Sequence, residues 1–185
     1  MGYKISSLKS LPVIPGIDLY VFILGQHKWA GGYSEVIEDN FSRLAQHLGE
    51  RGVIVAGHDG VRLARELSRE LSTAARSNRT IHDFVAKGES LGLSILLVGT
   101  HPSHLTGDDL FLLAPIEQIE RRFGSLDLFF SELCEFSENR DTSFLEKFEE
   151  REKTGRGVSD FFELKPNMFG MGINVNAIIN RWRER

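Results

Sequence analysis

Three aliphatic runs in this chain end in glycine and are followed within two residues by histidine: "ILGQHK" at Ile23–Lys28, "VAGHDG" at Val55–Gly60 and "VGTHPSH" at Val98–His104. Imidazole titrates near neutral pH, so His27, His58 and His101, with the carboxylate of Asp59 beside them, are candidate catalytic groups. Acting as general acid, base or hydrogen-bond donor, they would suit a phosphorylated or nucleotide ligand. Two or three neutral imidazoles and a carboxylate such as Asp59 would also suit a divalent metal with one position left open to activate water. Spacing argues against that second use. No His-Glu-x-x-His occurs, and Pro102 and Ser103 separate His101 from His104, so no metal ligand is assigned. Polar residues must in any case begin wherever a buried strand leaves the core, and a histidine there can simply cap a turn or a helix end.

The first of these loops offers more than a histidine. "GQHKWAGGYSE" (Gly25–Glu35) runs from an aliphatic segment toward a helical one, with Lys28 as a cation, the pair Gly31 and Gly32, and Ser34 as a hydroxyl. These four are the candidate binding residues of an anion cradle. Lys28 precedes the glycine pair, so the loop is not G-x-x-x-x-G-K-[ST], and it is not G-x-G-x-x-G either. The same glycines would serve a plain turn with Trp29 and Tyr33 packed over the sheet edge. A second glycine loop, "NMFGMGINVN" (Asn167–Asn176), lacks the third glycine of the dinucleotide fingerprint and reads as structural. No G-x-S-x-G nucleophile elbow occurs. Cys134, on the apolar stripe of "FFSELCEF", reads as a small buried hydrophobe.

Such groups need a sheet to position them. Asp18–Leu24, Val53–Gly57 and Leu93–Gly99 are aliphatic or β-branched without polar alternation, as expected of parallel, central strands covered on both faces. Leu110–Pro115 reads as a fourth strand ended by proline, or as the opening of a helix, and Val158–Pro166 as a fifth strand. Between the first two runs, Ile37, Phe41, Leu44, Ala45 and Leu48 form one helical stripe. Ser34 is its expected N-cap, Glu35, Glu38 and Asp39 favour its positive end, and "LGERG" stops it. Leu63, Leu67 and Leu71, then Ile81, Phe84 and Val85, make a crossover of two helices. Leu126, Phe129, Phe130 and Leu133 mark a further helix, and "NVNAIINRWRER" a basic-tailed one.

The 185 residues suit one domain, with 1–17 as a lead-in and 132–157 as a charged helical segment and turn with a solvated face. A net charge of −4 and a pI near 5.9 give no electrostatic footprint for nucleic acid. Cys134 is the only cysteine, so a reducing, cytoplasmic setting is expected. Pro12, Pro15 and Asp18 interrupt the apolar amino-terminal region, and no run approaches the roughly 18 apolar residues of a membrane span.

Five strands alternating with helices predict a single open, mainly parallel five-stranded sheet with helices on both faces. In a 2-1-3-4-5 order the three histidine loops converge on one rim, at the carboxyl ends of the strands. This three-layer sandwich resembles the TIR-type and flavodoxin-type domains, whose members are signalling adaptors, NAD-cleaving enzymes or flavin carriers. TIR enzymes carry Ser-x-x-Cys-x-x-Glu. In "SELCEFSE" (Ser131–Glu138), Ser131 and Cys134 match, but Ser137 stands where the glutamate belongs, so no catalytic residue is carried across. Receiver chemistry needs acids after the first and third strands, where this chain has Gln26, His27 and His101. Two functions are therefore in view. One is a cytoplasmic domain that binds a nucleotide or other phosphorylated small molecule at His27, Lys28, His58, Asp59 and His101, with hydrolysis as an added step. The other is a non-catalytic TIR-like or receiver-like signalling module that meets a protein partner through its helical faces and the charges around Glu149–Lys153.

Overall fold

The structure, a computed structural model, describes residues 1–25, 33–76, 79–87, 92–106, 109–139 and 143–149. The strand expected at Val158–Pro166 and the helix expected at "NVNAIINRWRER" lie outside them. Five described strands, β1 (Gly2–Ile5), β2 (Leu19–Leu24), β3 (Gly52–Gly57), β4 (Ser94–Val98) and β5 (Phe111–Pro115), form one sheet in the order β1-β3-β2-β4-β5. Every residue of β2 and β4 is buried, the signature of strands covered on both faces.

Two helical layers provide that cover. Leu19, Val21 and Ile23 of β2 face a cluster built with α1 (Tyr33–His47), α4 (Ile116–Phe123), α5 (Leu126–Asn139) and α6 (Ser143–Glu149). Tyr20, Phe22 and Leu24 face the opposite cluster, built with α2 (Gly60–Glu70), α3 (Arg79–Lys87) and the lead-in residues Leu8 and Leu11. The expected stripes are on the core side, with Leu63, Leu67 and Leu71, Ile81 and Phe84, and Leu126, Phe129, Phe130 and Leu133 all buried. Phe41 is half-buried rather than core, because it packs where α1 passes the edge strand β1 and lies under the Lys4 ammonium. Among the described residues no helix is long and apolar enough to cross a membrane.

The sheet is mixed, and here the expectation of a mainly parallel sheet is overturned. β1, β3 and β2 are parallel, but β4 runs antiparallel to β2, with Tyr20 opposite Val98 and Leu24 opposite Ser94, and β5 runs antiparallel to β4. The reason lies in the connection. A helix packed along a sheet reverses the course of the chain, so a single helix returns the next strand parallel. The β3–β4 connection holds two helices, α2 and α3, and delivers the chain back to the end it left. A second difference is at the amino terminus, where residues read as lead-in contribute β1, paired with β3 through Gly2–Ile5 against Ile54–Gly57. "GYKI" is too short, and too polar at Lys4, to announce a strand.

Candidate functional site

Because β1, β3 and β2 are parallel, their carboxyl ends make one rim. β2 sends the chain into α1 on one face of the sheet, while its neighbour β3 sends it into α2 on the other. Adjacent parallel strands whose connections part to opposite faces leave a crevice between them, the place where open α/β sheets bind ligands.

Three glycines shape the floor of that crevice. Gly25 has φ +126°, and a Cβ there would stand 2.7 Å from the Leu93 backbone. A Cβ on Gly57 would meet the Asp59 carbonyl at 2.8 Å, and one on Gly60 would lie 2.1 Å from the Gly25 carbonyl oxygen. The loop after β2 and the start of α2 thus touch backbone to backbone, which only glycine permits. At two of the three histidine-bearing exits, then, the repeated glycine answers to close packing rather than to chemistry. Gly99 is less confined, its nearest neighbour being Leu110 Cβ at 3.2 Å.

His58 and Asp59 stand exposed on this rim. The His58 amide donates to the Ile5 carbonyl at 2.9 Å, which ties the exit of β3 to the end of β1. Asp59 is the N-cap of α2, where its Oδ1 accepts from the amides of Val61 and Arg62 at 3.0 Å each. That carboxylate occupies the anion position of the helix. Two turns along α2, Glu66 accepts from the Leu8 amide at 2.6 Å, the Ser7 hydroxyl at 2.9 Å and Arg62 Nε at 3.0 Å. Burial alone would raise its pKa, but those donors outweigh it and hold the carboxyl below its ordinary value.

His27, Lys28, Gly31 and Gly32 lie outside the described residues. Ser34 is the second residue of α1, which begins at Tyr33, so it does not precede the helix as the expected cap. His101 is not on this rim at all. Tyr20 is level with both Val53 of β3 and Val98 of β4. From there His58 lies five residues up β3, roughly 16 Å toward the rim, while His101 lies three residues past Val98 in the opposite direction. The three-histidine convergence fails because β4 is inverted.

At its own end of the sheet His101 is 8% exposed and caps the short 3-10 turn Pro102–His104, its Nδ1 accepting from the Ser103 amide at 3.3 Å. Asp18, buried beside this end, pairs with Arg51. Cys134 is buried, and burial pushes its thiol up, as expected of an unreactive core cysteine.

Sequence reasoning missed a polar seam on the α1 face. Tyr33, Asn40 and Asp127 gave no motif, yet the Tyr33 hydroxyl donates to Glu120 of α4 and Asn40 Nδ2 to Asp127 of α5, both at 2.9 Å. His47 Nδ1 meets Glu138 of α5 at 2.6 Å. The regular seven-residue spacing of Tyr33, Asn40 and His47 along α1 was the available signal. Hydrogen bonding to the Glu120 carboxylate raises the Tyr33 pKa, so this phenol stays a donor. Among the described residues no three of His, Cys, Asp and Glu are grouped to hold a metal. No protein-family model, curated protein or solved structure matches the chain.

Proposed function

We propose that this chain binds an anionic small molecule, a nucleotide or other phosphorylated compound, in the crevice at the carboxyl ends of β2 and β3. The observation that carries the reading is the parting of α1 and α2 to opposite faces from two adjacent parallel strands. Asp59 already satisfies the first amides of α2. The charged group is therefore expected on the α1 side of the crevice, with His58 and Asp59 toward the uncharged part of the ligand. Buried Cys134, the lone cysteine, goes with a reducing, cytoplasmic setting for such a binder. A thermal-shift panel of nucleotides, NAD, phosphosugars and divalent metals tests the reading. A ligand at 100 times its Kd stabilises by about 2.7 kcal/mol, a readily measured shift. His58→Ala should keep its unliganded stability within about 0.5 kcal/mol, because the side chain is exposed, and should weaken binding of the ligand the panel finds. Silence across the panel would retire the reading in favour of a signalling module that contacts a protein partner.

A further inference from the structure

His101 is placed as a working part that the proposed ligand site does not use. Because Nδ1 accepts from the Ser103 amide, the hydrogen of the neutral ring sits on Nε2, which is buried. Ser103 Oγ lies 2.7 Å from the same Nδ1. The ring packs edge-to-face on Tyr20 of β2 at 5.7 Å and stands 6.0 Å from the His104 ring. Over it runs the lead-in strap, whose Leu11 backbone faces His101 and whose Ile14 backbone faces the Tyr20 hydroxyl.

We propose that His101 is an acid-operated latch: a proton taken from solvent onto Nδ1 removes the acceptor that caps the Pro102–His104 turn and frees that turn from this end of the sheet. Protonation converts Nδ1 from acceptor to donor. Ser103 Oγ can accept the new N–H, but the Ser103 amide then has no acceptor, and a positive ring is left buried against the edge of Tyr20. The groups facing the ring are few. His104 on its own turn opposes the charge, Tyr20 on β2 stays neutral, and the Leu11 backbone and Glu70 of α2 favour the charge. Burial is the largest influence and holds the imidazole below its ordinary pKa. The latch is therefore closed at neutral pH and opens in acid, below the ordinary imidazole range.

Amide hydrogen exchange on the full chain, followed with the histidine ring resonances, tests this. The Ser103 protection factor should fall about fivefold as pH is lowered from 7.5 through the titration of the His101 ring, the ratio that corresponds to a ~1 kcal/mol cap. Its midpoint should coincide with that of the His101 ring, while β2 and β3 amides remain protected. His101→Asn keeps a capping oxygen and cannot take the proton, so its turn should stay closed across the same range. An opening of the turn in His101→Asn at the wild-type midpoint overturns the latch. Should that variant not fold, the wild-type titrations decide alone: a Ser103 midpoint that follows the His104 ring, or no loss of protection as His101 titrates, is equally fatal.

Discussion

Glu66 is a largely buried acid that receives three donors from two segments far apart in the chain, and its contribution has a definite pH signature. Its folded pKa lies below its ordinary value. The stabilisation is thus complete above the usual glutamate range near 4.3 and is lost as pH falls through the folded pKa. Glu66→Gln should cost roughly 1 kcal/mol at neutral pH in a denaturant titration, and the difference from the natural protein should vanish in acid. Histidine 101 behaves differently. Its pKa is lowered, so the unfolded chain takes up the proton first, and stability is undiminished above about 6.5 and declines as pH falls through that value. The glycines give a sharper contrast. A methyl at Gly60 meets a carbonyl oxygen at 2.1 Å, where neither backbone can yield, whereas one at Gly99 meets the Leu110 side chain at 3.2 Å. Gly60→Ala should cost about 3 kcal/mol and Gly99→Ala under about 1 kcal/mol by equilibrium unfolding. Near-equal losses would show that the Gly25–Gly60 contact is not the tight one.

At the scale of elements, periodicity reported faces and missed directions. The α1 stripe was legible because apolar residues recur on one side of the helix, and the structure grades that stripe by position. Leu44 is fully buried over the sheet, whereas Phe41 reaches the margin beside β1. Leu44→Ala should cost about 3 kcal/mol and Phe41→Ala about 2, so the smaller side chain should matter more. The site was less legible than the core. A fully buried run such as "SILLV" carries the same pattern in either direction, so nothing in β4 itself announces that it is antiparallel. The information lay in the connection, where Leu63–Leu71 and Ile81–Val85 make two helical stripes between one strand and the next. Parity decided which rim His101 would join. His58 and Asp59 were placed correctly at the exit of β3 because that strand is returned by a single helix.

For the whole molecule, the arrangement is open to direct measurement. Gly99 donates to Leu110 and Ile116 to Leu93, so the odd-numbered residues of β4 bond to β5 and the even-numbered ones to β2. Val21–Leu97 and Ile23–Ile95 are then the close, non-hydrogen-bonded pairs, and each should give a strong Hα–Hα cross-peak. A parallel β2–β4 pair would give none. The strand order also has a bearing on how the sheet is assembled. β1 precedes all the others in the chain, yet its partner is β3, and β3 is held by β2 on its far side. The unit β2–α1–β3 is built from contacts close in sequence, so its closure costs little chain entropy, and it can form before β1 has anything to dock on. β1 is thus the late arrival, joining after the rate-limiting step. Ile5, buried under the lead-in turn, is the residue to ask. Ile5→Ala should steepen the loss of the native state, with the unfolding rate rising by nearly the full destabilisation, while the refolding arm of the chevron stays where it was.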